Sequence, residues 1–289
     1  MSKKIDTLVQ DIYHMLETKE IEDGDGLRGH CDQFGREMGD LLYEQLQPET
    51  PRNGLRLSGI GQPLRKLHNR LHGVAGEPLR GPTYLKFLYG HITEALVLAL
   101  TRISGHEVTE EQKVCTVAGV KGHQDCRIDG FLIDVKSASS YGFKKFKNNT
   151  LHKDDPFGYI AQIKAYAHEE GDTEYGWLAM DKQNGTLALL KYDETHTDAQ
   201  YYDAINWDVE EHVKSLKKQL EGSVIPSVCY EDIPDGKSGN RKLSSGCSYC
   251  DYKRHCWPDL KVYYYSNGPR YLTHVEREPK VAITIPEGF

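Results

Sequence analysis

An alternating stretch that ends in an Asp-x-Lys triplet constrains this chain more than any other feature. Residues 122–136 read GHQDCRIDGFLIDVK, which predicts two strands joined by a tight turn at 129–130. Side chains at positions i and i+2 of a strand lie on the same face of the sheet. We therefore expect the carboxylate of Asp134 and the ammonium of Lys136 to lie side by side, with Asp125 one short hairpin earlier.

Two carboxylates and a lysine at a sheet edge form a group suited to metal-assisted phosphate chemistry. Carboxylate oxygens bind hydrated Mg²⁺ or Mn²⁺, and such an ion can activate water beside a phosphate. An Asp-x-Lys triplet is also common as a surface ion pair on solvated strands. The triplet alone does not decide between these interpretations, and the neighbouring motifs favour the first.

Size and composition describe an ordinary globular protein of 289 residues, 38% hydrophobic and 27% charged. No apolar run approaches the roughly 20 residues needed to span a bilayer, and polar residues interrupt the N-terminal apolar positions, so we expect a cytoplasmic protein without membrane association. The net charge of −7 does not indicate a nucleic-acid binder. Phosphate affinity depends on local clusters of basic residues instead, and these include Arg65, Lys66 and Arg70; Lys144, Lys145 and Lys147; and Lys237, Arg241 and Lys242.

The order of predicted elements indicates an α/β fold in which a mixed sheet is flanked by helices. Helices are predicted within 1–50, at 63–72, 83–103 and 155–168, and as one long helix at 198–221. Strands are predicted at 112–120, 123–128 and 131–137 and in a hairpin with its turn at Asn184-Gly185. Three regions follow: an N-terminal helical region (1–80), a central core (81–222) and a cysteine-rich module with a C-terminal tail (223–289).

Glu94 is the candidate third carboxylate, because it lies on the strongest predicted helix immediately before the strands. His91 is the rival ligand on that helix. Gly90 costs about 1 kcal/mol in mid-helix relative to alanine, so we expect either a packing reason or a close approach by another element. We expect Glu94, Asp125, Asp134 and the carbonyl of Val135 to bind one or two Mg²⁺ or Mn²⁺ ions. Lys136 is expected to orient the attacking water or to stabilise charge on the phosphorane.

Gln162 and Tyr166 form a second candidate group, because residues spaced i, i+4 share a helix face. Tyr159 lies one turn earlier. An amide beside a phenol suits contacts to a phosphate or a terminal nucleotide, although tyrosine on an amphipathic helix is usually a core residue. Further candidate substrate-binding residues are Ser137, Lys144, Lys145 and Arg65.

Taken together, these motifs resemble the PD-(D/E)XK nuclease superfamily and, more narrowly, its RecB-type exonucleases. The resemblance is carried by Glu94, by GHQD ending in Asp125, by DVK at 134–136 and by QIKAY at 162–166. The segments DVKSAS, DDPFGYIAQ and GKSGN resemble exonucleases encoded by tailed bacteriophages. The resemblance implies a restriction-endonuclease-like core and a metal-dependent exonuclease that processes DNA ends in phage replication or recombination or in degradation of host DNA.

DNA is then the implied substrate, and a single-strand annealing or single-strand-binding protein is a candidate partner. Oligomeric state cannot be predicted from these motifs. Two alternatives remain: a structure-specific endonuclease, which would cut closed circular DNA, and a catalytically inactive, cysteine-stapled DNA-binding protein. Retention of the whole residue set speaks against the second alternative, because a binding module does not need it.

The C-terminal cysteines predict a second metal site. Cys247, Cys250 and Cys256 place three thiols within ten residues, which in a cytoplasmic protein indicates metal ligation rather than disulfides. The fourth ligand is expected to be Cys229, with Cys31 and His255 as alternatives. RecB-type nucleases with an iron–sulfur cluster use this tail and one cysteine far upstream, where this chain has Gln62. The resemblance implies a [4Fe–4S] cluster, which we expect Cys229 and the three tail cysteines to hold, with Zn²⁺ as the alternative.

Overall fold

The computed structural model describes residues 3–21, 26–48, 54–78, 81–222 and 224–283. Its α-helices are α1 Leu8–Thr18, α2 Leu27–Gln45, α3 Leu64–Leu71, α4 Gly81–Ile103, α5 Ser140–Lys147, α6 Tyr159–Glu170, α7 Tyr202–Ile205, α8 Val209–Glu221, α9 Ser245–Ser248 and α10 Lys253–Cys256. Its strands are β1 Val108–Thr109, β2 Val114–Val117, β3 Val120–His123, β4 Cys126–Ile128, β5 Phe131–Ala138, β6 Glu174–Asp181, β7 Leu187–Asp193, β8 Ile233–Pro234, β9 Arg241–Lys242, β10 Lys261–Tyr265 and β11 Gly268–His274.

Contacts between residues divide the chain into two units. The first comprises the described residues of Met1–Gly61 and Arg80–Lys217, and the second those of Gln62–Leu79 and Lys218–Phe289. The short basic helix α3 therefore belongs with the C-terminal cysteines. The domain boundaries expected near residues 80 and 222 stay predictions.

The first unit contains the predicted mixed sheet. Its strand order is β1-β4-β5-β6-β7, with β5 and β6 parallel and the other pairs antiparallel. Helices α5 and α6 lie in the crossover that two parallel strands require. The α/β fold with a mixed sheet flanked by helices is thus confirmed.

Alternation along β5 sends its side chains to two different environments. Ile133 and Val135 pack into an apolar core with residues of α1 and α4, among them Leu8, Ile12, Val97 and Leu98. Asp134 and Lys136 alternate with these apolar positions and lie on the opposite face, where α6 contributes Gln162. The apolar side chains of β5 therefore fix the strand against the core, and this holds Asp134 and Lys136 in place on the opposite face.

The tight turn predicted between β4 and β5 is present. Asp129 and Gly130 both have positive φ angles, of 51° and 83°, as a type I′ turn requires. The turn sets the register in which Cys126 lies opposite Ile133. Asp125, just before β4, is thereby brought beside the middle of β5.

Three predicted elements differ from the structure. The strand expected at 112–120 ends at Val117, because Ala118 and Gly119 adopt positive φ angles and turn the chain into β3; β2 and β3 form a separate two-stranded sheet. The helix expected from 155 begins at Tyr159, after Gly158 in a left-handed conformation. The long helix at 198–221 is two helices, and α8 begins after Asp208, whose carboxylate accepts a hydrogen bond from Glu211 N at 2.8 Å.

The polar segment after Lys136 is partly helical. Strand β5 continues to Ala138, and α5 follows at once. Ser139 Oγ caps the helix by accepting a hydrogen bond from Gly142 N at 3.3 Å. Lys144 and Lys145 consequently project from a helix that directly follows the strand bearing Asp134 and Lys136.

The second unit contains a four-stranded antiparallel sheet of order β10-β11-β9-β8. A small apolar cluster of Leu243, Cys247 and Leu260 packs with Tyr230, Trp257 and Tyr271. Helices α9 and α10 each have four residues and carry or adjoin the tail cysteines. Across the described parts of the chain, no helix has both the length and the apolar content to cross a bilayer.

Candidate active site

Asp134 and Lys136 form an ion pair at the centre of the sheet. Lys136 Nζ lies 2.5 Å from Asp134 Oδ2, and the two side chains are 17% and 1% exposed. A surface pair on a solvated strand would leave both groups in water. Because the Asp134 carboxylate is removed from water, its charge must be balanced by groups within the protein.

Asp125 is held against the same strand by its backbone. It lies in the link between β3 and β4, and its Oδ2 accepts a hydrogen bond from Val135 N at 2.8 Å. Its side chain also contacts that of Asp134, which contributes to a raised pKa of Asp134. The structure records the N–H of Val135 in this contact, and the ligand role of the Val135 carbonyl stays a prediction.

Glu94 lies in the same cluster, although it comes from a helix. The pKa of Glu94 is raised to about 8, first by burial and then by the charge of Asp125. Its Oε1 accepts a hydrogen bond from Gln112 Nε2 at 3.2 Å. The rival His91 is exposed.

The approach of α4 to the sheet does not depend on a missing side chain at Gly90. A methyl group at that position would lie 3.8 Å from Ser137 Oγ, which is an ordinary contact. Of the two reasons expected for Gly90, packing or a close approach, the close approach is therefore wrong. The distance does place Ser137, a predicted substrate-binding residue, beside the helix that carries Glu94.

Burial and mutual proximity raise the pKa of the second carboxyl group as well. The pKa of Asp134 is raised to about 7, chiefly by burial, while Lys136 opposes this effect and Asp125 adds to it. Burial alone would lower the pKa of Lys136, but Asp134 and Asp125 outweigh it and raise that pKa. The lysine therefore keeps its proton, and the carboxyl groups outnumber the single amine.

Gln162 and Tyr166 lie on the face of α6 that meets β5. Gln162 Nε2 donates to Asp134 Oδ1 at 3.2 Å and contacts the Tyr166 hydroxyl oxygen at 3.3 Å. Tyr166 is 1% exposed, and burial raises the pKa of its phenol. Tyr159, one turn earlier, places its ring centroid 4.9 Å from Lys136 Nζ. All four predicted motifs are thus brought together in the first unit.

The donor set suits a hard divalent cation. Three carboxyl groups converge, and Asp134 Oδ2 has an ion pair with Lys136 but no well-directed hydrogen bond. Within the described residues no group of three His, Cys, Asp or Glu side chains is already arranged as a metal cage. Two of the three carboxyl groups have protein partners: Glu94 accepts from Gln112 and Asp125 from the backbone of Val135.

The remaining residues predicted to bind substrate have different surroundings. Lys144 is exposed on α5. Lys145 Nζ contacts Asp154, lying 2.9 Å from its carbonyl oxygen and 2.5 Å from Oδ2. In the second unit, Arg65 donates from Nε to Cys256 Sγ at 3.2 Å and from Nη1 to the carbonyl oxygen of Pro226 at 2.6 Å. Arg65 therefore belongs to the cysteine module, and its contact with substrate stays a prediction.

Sequence reasoning missed Gln112 and Asp155. Gln112 lies in a loop, and no local pattern marks it as a partner of Glu94. The Asp155 carboxylate accepts hydrogen bonds from the backbone N–H groups of Gly158, Tyr159 and Ile160 at 2.9–3.0 Å. An aspartate followed by proline just before an apolar helix is a recognisable start signal, but it marks a turn before α6 rather than the first helical residue.

The thiols of the four cysteines of the second unit influence one another electrostatically, but among the described residues they are not gathered into a metal-holding group. Burial raises the pKa of the thiols of Cys229, Cys247 and Cys250, and the neighbouring thiols add to the effect. Cys256 contributes to each of these shifts and receives the hydrogen bond from Arg65. Four thiols are a donor set that suits a soft metal, and the role of Cys229 as the fourth ligand stays a prediction.

Comparisons with known proteins yield distant structural likenesses. No protein-family model matches the chain, and no curated protein matches it. An alkaline exonuclease from Laribacter hongkongensis is 17% identical with a TM-score of 0.37, over 55% of this chain and 79% of that one. A phage related exonuclease from Haemophilus somnus 129PT is 16% identical with a TM-score of 0.37, over 57% and 92%. A structure named SSO0001 is 14% identical with a TM-score of 0.42, over 76% and 93%. These identities and TM-scores are too low to carry an argument about function.

Proposed function

We propose that this protein is a metal-dependent deoxyribonuclease that hydrolyses phosphodiester bonds from DNA ends. The observation that carries the proposal is the convergence of Glu94, Asp125, Asp134 and Lys136 in one cluster inside the first unit. Like charges gathered in a desolvated place are characteristic of functional sites. The order of the four motifs, which resembles that of RecB-type exonucleases, supports action on DNA ends.

Glu94, Asp125 and Asp134, with the carbonyl of Val135, are the residues that would hold Mg²⁺ or Mn²⁺. Such an ion, when bound, lowers the pKa of a water molecule and shields the phosphate charge. The protein contributes the arrangement of the ligands. Asp125 is fixed by the Val135 N–H and Asp134 by the Gln162 amide, so neither carboxylate is free to turn away.

Lys136 supplies the positive charge at the reaction centre. Its raised pKa keeps the ammonium protonated throughout the physiological pH range. A fixed ammonium stabilises the negative charge that develops on a phosphorane and can orient the attacking water. The Tyr159 ring beside its Nζ restricts the lysine to this position.

The proposal is tested by digestion of DNA labelled at the 5′ or the 3′ end, with closed circular DNA as a second substrate. With Mg²⁺ or Mn²⁺ we expect loss of linear DNA from its ends and intact circles. Lys136→Met and Asp134→Asn should lower kcat by about 100-fold or more, while Lys136→Met should retain Mn²⁺ binding. Lys191→Met is the matched control, because Lys191 lies on β7 and pairs with Asp6, outside the cluster.

Each possible result of these digestions tests one alternative to the proposed function. Degradation of circular DNA would favour an endonuclease. Absence of metal-stimulated cleavage by wild-type protein would overturn the nuclease and favour a DNA-binding protein. Full turnover by Lys136→Met would remove the lysine from the mechanism.

We also propose that Cys229, Cys247, Cys250 and Cys256 bind a [4Fe–4S] cluster or, alternatively, Zn²⁺. The electrostatic influence of the four thiols on one another supports four-thiolate ligation. The guanidinium of Arg65 donates a hydrogen bond from Nε to Cys256 Sγ at 3.2 Å, which places a positive charge beside this candidate ligand. This metal is expected to stabilise the second unit.

A further inference from the structure

We infer that the substrate strand is unpaired where it enters the site and that its bases stack on the exposed ring of Phe157. The inference rests on the proposed nuclease function and names its substrate class, a single-stranded DNA end. It is drawn from a row of aromatic and basic side chains that borders the candidate active site. Neither Phe157 nor Tyr141 is needed for the hydrolytic chemistry itself.

Phe157 is exposed yet held in a rigid turn. Its side chain is 61% exposed, which leaves a large apolar surface in water. The turn around it is fixed by Asp155, whose carboxylate accepts the N–H groups of the next residues. Gly158 packs so tightly on Gly61 that an added Cβ would lie 2.6 Å from Gly61 Cα. An aromatic ring presented on a fixed backbone can bind a flat partner with little loss of entropy.

The ring is connected to the reaction centre by two direct contacts. Phe157 stacks on Tyr159, with ring centroids 5.3 Å apart and an angle of 23° between the planes. The Tyr159 ring in turn lies 4.9 Å from Lys136 Nζ. A base stacked on the free face of Phe157 therefore belongs to a nucleotide close to the phosphate that Lys136 would contact.

Helix α5 continues this surface with one exposed aromatic ring, that of Tyr141, and with basic side chains. Tyr141 is 74% exposed, and Lys145 Nζ lies 5.4 Å from the centroid of its ring. Lys145 also reaches Asp154, three residues before Phe157, so it joins α5 to the turn. Lys144 and Lys147 are exposed, and no ion pair with another described residue is recorded for them.

This combination of rings and lysines fits single-stranded DNA better than a DNA duplex or a protein partner. Rings interleaved with lysines bind unpaired strands, because bases stack on the rings while the phosphates follow the ammonium groups. In a duplex the bases are stacked on one another, so only a terminal pair could reach such a ring. A protein partner would gain from the apolar area, but it would leave the positive charge of Lys144 and Lys147 without a purpose. The local positive charge of Lys144 and Lys147 contrasts with the net charge of −7 of the whole chain.

Binding is tested in EDTA, so that no cleavage occurs, with fluorescein-labelled single-stranded oligonucleotides and blunt duplexes. Phe157→Ala and Phe157→Leu should each weaken single-strand affinity by about 5- to 150-fold, the range for loss of one stacked base. Phe157→Trp should keep it, and duplex affinity should change little. Tyr89→Ala is the matched control, because Tyr89 is also 61% exposed but lies about 140° around α4 from Glu94.

A double-mutant cycle separates stacking from a structural role of the ring. A tetrahydrofuran abasic residue is moved along the oligonucleotide, and each version is bound to wild-type protein and to Phe157→Ala. At one position the loss of the base and the loss of the ring should be non-additive, because they remove the same contact. Additive effects at every position, wild-type affinity in Phe157→Leu, or equal losses for single strands and duplexes would each overturn the inference. Absence of single-strand binding by wild-type protein would overturn it too and would favour a protein partner for this surface.

Failure of the inference and failure of the proposed function give different results. Cleavage by wild-type protein with an unchanged KM for single strands in Phe157→Leu would reject the stacking surface and leave the nuclease. Binding that depends on Phe157, without cleavage in Mg²⁺ or Mn²⁺, would support the surface and reject the nuclease.

Discussion

Asp134 carries more of the site's constraints than any other residue. Its carboxylate is 1% exposed and meets an ammonium, an amide and a second carboxylate. A buried carboxylate is tolerated only when such partners replace its lost hydration. The partners of Asp134 come from β5 itself, from α6 and from the link before β4, so one side chain joins three parts of the first unit.

Gln162 is expected to act through Asp134. In Gln162→Met the side chain keeps its size but can no longer donate to Asp134 Oδ1, so the carboxylate loses a group that orients it. We expect Mn²⁺ affinity and kcat to fall by about 10- to 100-fold, as for other residues that support a metal ligand. Calorimetric titration of Mn²⁺ and single-turnover cleavage provide the measurements. Tyr166→Phe serves for comparison, since it removes only the hydroxyl that contacts Gln162, and a smaller loss is expected. Wild-type values in Gln162→Met would contradict this role.

The raised pKa values predict how pH affects the stability of the metal-free protein. The pKa values of Glu94 and Asp134 are raised to about 8 and about 7, above those of the unfolded chain. The folded protein therefore holds protons that the unfolded chain releases, and the free energy of unfolding decreases as the pH rises from about 4 to about 8. Urea unfolding in EDTA across this range measures the slope.

Two comparisons assign that slope to the cluster. Glu94→Gln removes one titrating group and should make the decrease shallower. Added Mn²⁺ should stabilise the protein most at the high-pH end, where the carboxylates are ionised and ready to bind it. The same slope in wild-type protein and Glu94→Gln would contradict the assignment.

The start of α6 shows how a single cap positions several functional side chains. Asp155 accepts three backbone N–H groups, and the helix that follows carries Tyr159, Gln162 and Tyr166. The local pattern indicated a helix in this region, but the left-handed Gly158 delays its first turn. A glycine in an otherwise helical pattern does not reveal its φ angle, because glycine tolerates both helical and left-handed conformations.

Substitution of Asp155 is expected to affect both stability and activity. Asp155→Ala leaves the first N–H groups of α6 without their acceptor and should lower the free energy of unfolding by about 1–2 kcal/mol. Asp155→Asn keeps an acceptor oxygen and should restore most of the loss. Chemical denaturation gives the first quantity, and kcat of the two variants shows whether Gln162 remains positioned. Equal stability of Asp155→Ala and wild-type protein would show that the cap is dispensable.

The cysteine module allows a prediction about the second unit as a whole. If Cys229 is the fourth ligand, Cys229→Ser should lose most of the bound iron or zinc, whereas Cys31→Ser should retain it. Cys31 is exposed on α2 in the first unit, which makes it both the control and the rival ligand. Elemental analysis after anaerobic purification measures the metal, and visible absorption separates a brown iron–sulfur protein from a colourless zinc protein.

Loss of this metal should destabilise mainly the second unit. Its apolar core is small, and metal binding contributes folding free energy to such modules. Hydrogen exchange should increase at residues 224–283 after chelation and change less at residues 81–217. Wild-type protein that contains neither iron nor zinc would contradict the metal site.

Local features were predictable because backbone geometry alone determines them. The pairing of Asp134 with Lys136 follows from the two-residue repeat of a strand, and that of Gln162 with Tyr166 from the four-residue spacing of a helix. The turn at Asp129-Gly130 follows from the residues that tolerate positive φ. The order of these elements was enough to predict the mixed sheet.

Other features depend on which distant surfaces pack together. The sequence offered Glu94 as the candidate ligand with His91 as its rival on the same helix. Packing of α4 against β5 brought Glu94 into the cluster while leaving His91 exposed. The exposure of Phe157 and the approach of Cys229 to the tail cysteines are likewise set by the whole fold. Such contacts join residues far apart in the chain, and their free energy comes from burial, desolvation and charge pairing summed over many groups, which no local pattern of residues records.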